Sequence, residues 1–449
     1  MTEPLGYTGP AEALVGYYAD RKPRAQMYQF RVTCRLCGGP LRRVLDLGSC
    51  PLANEYWTAE QVASGQRQDT FPIVVAQCSS CEHVQTQTIV NPERLYSEYS
   101  YTSGIAASFR EHLRSLATEL RAAGHRTIVD IGSNDGTLLH YCRNLGMTGL
   151  GVDPARNLAA EASSRGDLTI PAFFNVETAR EIRRMLGKAP DVVTCLNAFA
   201  HTDDLAAIAD GVRELIGETG EFVFEVAYLL DLLEKNEVGS TYHEHISHHS
   251  VVPLYKFFAA HGLSLHDVKR IPTQGGSIRG YVRMHQWPNE MYRWIELEDK
   301  TIPALLADWP ARIERERVAT LAELQPYLAP RCEACGGNPG VKFGPCPTCQ
   351  GGGKKQLGAL AIFGAPARLT PYVHMLGLKR EDVSCVFDDE PRKVGRFTPG
   401  LHWLIVSPDE LMARNPPAIL ISAWPYAEQI KARFPEYRGA WILPKREGA

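Results

Sequence analysis

No stretch of this 449-residue chain approaches the ~18 consecutive apolar residues of a membrane-crossing helix, so no membrane span is expected. Met1–Gln26 also lacks the apolar core of a secretory signal. The chain therefore reads as cytoplasmic, in reducing surroundings. Neither sign of charge dominates: 48 Lys and Arg stand against 51 Asp and Glu, a formal net charge of −3. That excludes a generally basic surface of the kind that coats nucleic acid. An apolar content of 44% and a charged content of 22% are those of a globular protein. The length calls for about two to four domains.

The Gly-x-Gly-x-x-Gly turn of dinucleotide enzymes is missing from the place where it would matter most. Ile128-Val-Asp-Ile-Gly-Ser-Asn-Asp-Gly-Thr-Leu-Leu139 is a β-branched run ending in an acid, a Gly-rich turn, and a helix start. Such a turn lets a nucleoside-type ligand approach the backbone closely. A second apolar stretch, Leu150-Gly151-Val152, ends in Asp153, where an acid can take the two ribose hydroxyls of an adenosine ligand. The pattern Asp-x-Gly-x-x-x-Gly favours S-adenosylmethionine, with NAD as the alternative.

Cysteine is plentiful but uneven. Eight of the twelve fall in four Cys-x-x-Cys pairs: Cys34/Cys37, Cys78/Cys81, Cys332/Cys335 and Cys346/Cys349. In a reducing compartment such pairs point to metal before disulfides. The first two pairs, on turns separated by short strands such as Phe71–Gln77, suit a structural zinc with four thiolates and no open coordination position. The second two, in the Gly-rich segment 332–353, suit a second structural zinc or a flexible insert with reduced thiols. Cys50, Cys142, Cys195 and Cys385 are expected as small buried hydrophobes.

From 127 to about 285 strand and helix alternate. The expected strands are Thr127–Ile131, Gly149–Val152, Val192–Cys195, Glu221–Val226 and Ile278–His285, a mostly parallel sheet covered on both faces. A helix is expected near Ala11–Tyr18, and another over Phe109–Ala123 after the Tyr-rich stretch 96–103. Residues 288–330 read as one long helix with an apolar stripe at Leu305, Trp309, Ile313, Val318 and Leu321. A smaller doubly wound unit begins at Leu357, with strands Leu360–Phe363, Cys385–Asp389 and Ala418–Ser422.

Several separated motifs then match one family. These are the two N-terminal cysteine pairs, Asp130-Ile-Gly-Ser-Asn-Asp-Gly136, Tyr242-His-Glu-His245 and Pro272-Thr-Gln-Gly-Gly-Ser-Ile-Arg279. Gly364-Ala-Pro-Ala367, and Asp388-Asp389 followed by Lys393-Val-Gly-Arg396, complete the set. In this order they resemble the sugar C-methyltransferases that act on nucleotide-linked 4-keto-deoxyhexoses. The resemblance implies an α/β fold with a class I methyltransferase Rossmann-like core. It divides the chain into a zinc-binding domain (1–90), the methyltransferase core (91–287), a helical connector with the 332–353 insert (288–356), and a smaller Rossmann-like, nucleotide-sugar-binding domain (357–449). Two departures stand out. The 332–353 cluster is not in the family pattern and, with Lys354 and Lys355 behind it, suggests a protein or nucleic-acid partner. His248 and His249 replace the family's usual tyrosines.

Four histidines and Glu244 lie within Tyr242–His249. By themselves they allow a catalytic base, a metal site or a solvated helix start; the zincin spacing His-Glu-x-x-His is not met. The resemblance implies that His245 deprotonates C3 of a 4-keto sugar, a task suited to an imidazole. Tyr96, His201 and Tyr242 would then supply donors to the enolate oxygen, with Glu244 orienting an imidazole. His201 at a strand end can equally be a structural residue. Cofactor contacts are expected from Asp130, Gly132, Asn134, Asp135, Gly136, Asp153, Asn175 and Asn197, with Asn175 alternatively a helix cap. Gly364, Lys393 and Arg396 are candidates for a diphosphate, or simply a solvated basic surface. Methyl transfer to oxygen or nitrogen of an unrelated acceptor is the competing activity.

Overall fold

The computed structural model describes residues 27–96, 104, 107–285, 291–328 and 359–446. The expected helix at Ala11–Tyr18, most of the Tyr-rich stretch, and the whole 332–353 cluster with Cys332, Cys335, Cys346 and Cys349 lie outside these residues. The chain forms two compact units: Met1–Gly48 with Phe71–Glu237 and His243–Pro310, and Ser49–Thr70 with Val238–Tyr242 and Ala311–Ala449.

In the first unit β1 (Tyr28–Phe30) pairs antiparallel with β5 (Thr88–Val90). A four-stranded sheet follows the order β11-β4-β3-β2, from β2 (Leu41–Pro51), β3 (Thr70–Cys78), β4 (Val84–Thr86) and β11 (Ser247–His248). β3 is almost wholly buried, as its Phe-Pro-Ile-Val-Val-Ala run requires.

The central sheet has seven strands in the order β12-β13-β10-β9-β6-β7-β8. They are β6 (Thr127–Ile131), β7 (Thr148–Val152), β8 (Thr169–Ile170), β9 (Val192–Leu196), β10 (Glu221–Ala227), β12 (Ser264–Ile271) and β13 (Ser277–Arg283). β6 to β10 run parallel. β13 is antiparallel to β10, and β12 to β13. This is the class I methyltransferase sheet. All five residues of β6 are buried, as a strand covered on both faces demands. On one face the helix Ala107–Ala122 presents Phe109, Leu113, Leu116 and Leu120 against Ile128, Val192 and Val223, a spacing of three to four residues. Cys142 and Cys195 are fully buried, as expected.

β12 is a strand that the sequence pattern hid: Ser-Leu-His-Asp-Val-Lys-Arg-Ile carries charge on its outer face and a bulge between Leu265 and Asp267. Pro272–Gly276 is the tight turn joining it to β13. Gly276 has φ +126, and a Cβ there would lie 2.3 Å from the Asp231 carboxyl carbon.

The long helix runs Met291–Leu324. Ile302, Leu306, Trp309 and Ile313 are its buried stripe, whereas Val318 is 54% exposed: it falls off the face that a 3.6-residue period defines.

In the second unit a five-stranded parallel sheet has the order β16-β15-β14-β17-β18. Its strands are β14 (Leu360–Phe363), β15 (Val383–Phe387), β16 (Ile405–Val406), β17 (Ala418–Ile421) and β18 (Ala440–Ile442), the doubly wound arrangement. Cys385 is buried in its core.

The helix Val251–Ala260 has no cap from its own Ser250. Glu298 serves instead: its carboxylate, 4% exposed, accepts from the Val251 N–H at 2.7 Å, the Val252 N–H at 2.9 Å and the Tyr228 hydroxyl at 2.9 Å. Glu298→Ala leaves three buried donors without a partner and is expected to destabilise the first unit by about 3 kcal/mol. Urea unfolding followed by tryptophan fluorescence reads this; an unchanged midpoint would show that the cap is dispensable.

Candidate active site and metal centre

β6, β7 and β9 all end at one edge of the central sheet, where open α/β folds bind ligands. At Gly132 the chain turns with φ +70, and a Cβ would sit 2.5 Å from the Ala198 Cβ. Gly136, φ +73, opens the helix Thr137–Asn144, and a Cβ there would lie 2.9 Å from Ala162. Asp153 accepts from the Asn134 N–H through Oδ2 and from the Ala155 N–H through Oδ1, both at 2.8 Å. Asp130 is buried under a 2.6 Å hydrogen bond from the Thr194 hydroxyl, and burial pushes its carboxyl up to about 7. Asp135 accepts from the Thr137 hydroxyl at 2.6 Å and the Gly104 N–H at 2.9 Å.

Asn197, φ +58, donates its N–H to the Glu225 carbonyl at 2.8 Å. Its buried Nδ2, like Ser133 Oγ, has no hydrogen-bond partner among the described residues. Small residues and orphaned polar atoms along one strand edge fit a nucleoside ligand, which would satisfy those atoms. Asn175 caps the helix Val176–Leu186, accepting from the Thr178 N–H at 2.9 Å.

Tyr96, His201 and His245 come together. The His201 and His245 rings are 5.0 Å apart, centroid to centroid. Tyr96 stacks on His201 at 6.0 Å with 8° between ring planes, and its hydroxyl lies 3.5 Å from the His201 carbonyl. The Ile246 N–H donates to the Ala200 carbonyl at 3.1 Å and ties the two histidine segments together. Desolvation, then the neighbouring His245, holds the His201 imidazole well below its usual range. It is therefore neutral at pH 7, with one N–H to donate and one nitrogen to accept. Glu244 is buried, and Tyr242 is half-buried and belongs to the second unit.

The remaining histidines of the run are packing groups. His243 bonds the Phe71 carbonyl at 3.0 Å. His248 lies in β11, opposite Val84. His249 packs between Phe199 and His83, 5.4 Å from each. Burial pushes His243 down to about 4, and His248 and His249 to about 3.

The sulfurs of Cys34, Cys37, Cys78 and Cys81 all lie within 4.8 Å of one another. Cys34 and Cys81 are 3.6 Å apart, and Cys37 and Cys78 3.5 Å, close to the ~3.8 Å sulfur separation of a tetrahedral zinc thiolate centre. Backbone N–H groups of Leu36, Gly39 and Ser80 point at Cys34, Cys37 and Cys78 sulfurs from 3.3–3.4 Å, the pattern that stabilises thiolate. The set fits zinc.

In the second unit Gly364 has φ +95, and a Cβ would meet Ala423 at 2.9 Å. Lys393 is used internally: its Nζ donates to the Ala365 carbonyl at 2.8 Å and sits 5.2 Å over the Tyr56 ring. Asp388 accepts from the Ala365 N–H at 2.5 Å. Arg396 is exposed.

Three family models match the chain: "Putative zinc binding domain" over residues 34–96, "Methyltransferase domain" over 105–268 and "C-methyltransferase C-terminal domain" over 352–444. The C-methyltransferase NovU of Streptomyces niveus is 31% identical over 422 residues, 92% of this chain and 94% of that protein. The chain belongs to the C-methyltransferase family. It is an S-adenosylmethionine-dependent enzyme with an N-terminal zinc-binding domain. Among solved structures it is similar to a magnesium protoporphyrin IX methyltransferase from Synechocystis (17% identity, 39% of this chain and 79% of that one, TM-score 0.30). It is also similar to a methyltransferase from Clostridium acetobutylicum (14% identity, 39% and 92%, TM-score 0.32). Among the described residues no helix of this C-methyltransferase is long and apolar enough to cross a membrane.

One residue of consequence escaped the sequence reading. Arg35, inside the first Cys-x-x-Cys turn, is buried. Its one signal was position: an arginine between two zinc ligands.

Two outcomes follow from the centre and the histidines. Cys81→Ser should lower metal content by about one zinc per chain and reduce the thermal midpoint; unchanged zinc by elemental analysis would remove the metal assignment. His248 and His249 are neutral when native but protonate below about pH 6.5 when unfolded. Their contribution to stability is therefore present above that pH and is lost as pH falls towards about 3. By about pH 5 the loss is roughly 2 kcal/mol for each. His249→Gln should flatten the stability–pH curve between about pH 7 and pH 5 by one histidine's share, and an unchanged slope would contradict the buried neutral state.

Proposed function

We propose that this C-methyltransferase acts at C3 of a nucleotide-linked 4-keto-deoxysugar, with His245 as the base. The observation that carries the reading is the pairing of His245 with a neutral His201, under Tyr96, beside the strand ends of the central sheet. S-adenosylmethionine, when bound, supplies an electrophilic methyl group. Asp130, Gly132, Asn134, Asp135, Gly136, Asp153 and Asn197 would hold it, and Asn175 would lie at its adenine end.

A C–H next to a ketone is acidic enough for an imidazole only if the enolate is stabilised as it forms. A ring nitrogen of His245 takes the C3 proton. A neutral His201 can donate its N–H to the enolate oxygen without bringing a competing positive charge beside His245. Tyr96 fixes the plane of the His201 ring by stacking. Tyr242 and Glu244, just before His245 in the sequence, are the remaining members of the proposed catalytic set. Gly364, Lys393 and Arg396 are the proposed diphosphate contacts; Lys393 would keep its bond to Ala365 and act through its charge, while exposed Arg396 is open to a direct bond. The same reading puts the enzyme in the cytoplasm with its nucleotide-linked substrate.

Incubation with a dTDP-4-keto-deoxyhexose in deuterated water should show exchange at C3 and, with S-adenosylmethionine, a carbon-bound methyl by NMR. His245→Gln should abolish the exchange and lower kcat by about 100- to 10,000-fold with cofactor affinity retained. Methyl transfer to oxygen or nitrogen, or exchange that survives in His245→Gln, would overturn the mechanism.

A further inference from the structure

The Arg35 side chain is completely shielded from solvent, although arginine is among the residues least often buried. A cation in such a place must be paired and hydrogen-bonded. Its Nε faces Asp203 Oδ1 at 3.3 Å, Nη2 donates to the Thr86 carbonyl at 2.9 Å, and Nη1 donates to the Ile246 carbonyl. Its backbone N–H donates to Gln85 Oε1 at 2.9 Å. Asp203 is shared with Arg31 at 2.7 Å.

The partners are what matter. Ile246 immediately follows His245, and Asp203 lies two residues after His201. One guanidinium thus grips both histidine segments, from a turn whose ends are the zinc ligands Cys34 and Cys37. We propose that Arg35 is a positioning residue for methyl transfer: it sets the His201–His245 pair from the first zinc knuckle, so that the metal shapes the active site as well as the N-terminal fold. Direct stapling of the knuckle to its own sheet would need only Thr86 and Gln85. The bonds to Ile246 and Asp203 serve the histidines. Lysine cannot replace the grip, because a single ammonium lacks the planar fork that reaches three acceptors at once. The inference rests on the proposed role of His245.

The test compares Arg35→Lys, Arg35→Gln, His245→Gln and the unaltered full chain. The readouts are zinc content, S-adenosylmethionine affinity by calorimetry, amide hydrogen exchange, and kcat and KM with a dTDP-4-keto-deoxyhexose. Arg35→Lys should keep its zinc and bind the cofactor within about twofold of the unaltered chain. It should exchange faster in peptides 199–204 and 243–249 but not in 137–144, and lose about 10- to 100-fold in kcat with little change in KM. Chelation of zinc from the unaltered chain should produce the same exchange pattern. Unaltered exchange in both histidine peptides of Arg35→Gln would overturn the proposal. So would a loss of turnover matched by loss of cofactor affinity, which marks general unfolding. If His245→Gln turns over normally, the base assignment falls, and the exchange data, which need no acceptor, still decide for or against Arg35 as the clamp.

Discussion

The close approach of three strand ends is the constraint on which the first unit depends. β6 must stop and turn within van der Waals distance of Ala198, which follows β9, and only a residue without a Cβ can do so; hence Gly132. The turn would be loose if it were held by sterics alone. Asp153 fixes it from β7 by accepting the Asn134 N–H while its other oxygen holds the Ala155 N–H. The acid is therefore first a structural tie. Any cofactor contact it makes uses lone pairs left over after the turn is secured.

The interior of the same unit carries an unusual load of imidazole. His83, His243, His248 and His249 are buried, and burial favours their neutral forms. Tyrosine at positions 248 and 249 would be bulkier and would bring hydroxyl groups needing partners. Histidine is smaller, and at 249 its ring stacks against Phe199. His248 and His249 therefore serve the packing of this unit's interior. Arg35 already has its carboxylate and carbonyl partners in place, and it shares Asp203 with Arg31. A protonated histidine among them would face that guanidinium without a counter-ion, so neutrality of the histidines and charge on Arg35 are two sides of one arrangement.

Local chemistry made some elements legible. β6, its glycine turn and the helix after it follow from a β-branched run, an acid and two glycines. The strand Leu360–Phe363 is legible to the residue because Gly364 bounds its apolar run. β12 was not legible, because its outward face is charged and a bulge breaks its alternation. β16 and β18 are too short to show a period. Val318 departs from the expected stripe of the long helix because its hydrophobicity lies off the regular spacing that burial follows. The meeting of Tyr96, His201 and His245 could not be read from spacing, since it joins segments more than forty residues apart. Arg35 was invisible for the same reason: its partners at 203 and 246 are brought to it by the fold.

The second unit shows how one motif can carry two demands. Gly364 lets β14 turn close to Ala423, and the turn is then locked from both directions: Asp388 accepts the Ala365 N–H and Lys393 donates to the Ala365 carbonyl. The lysine and the acid thus bind opposite poles of one peptide unit. Loss of Asp388 would leave the buried Ala365 N–H without its partner, whereas the Ala365 carbonyl accepts from the Tyr56 hydroxyl at 2.6 Å as well as from Lys393. The turn also separates Lys393 from Arg396. The lysine is engaged in the turn through its bond to the Ala365 carbonyl, whereas the exposed guanidinium keeps the planar, bidentate donor geometry that phosphate oxygens select. In the proposed reading, the diphosphate contact of this motif therefore falls to Arg396 before Lys393.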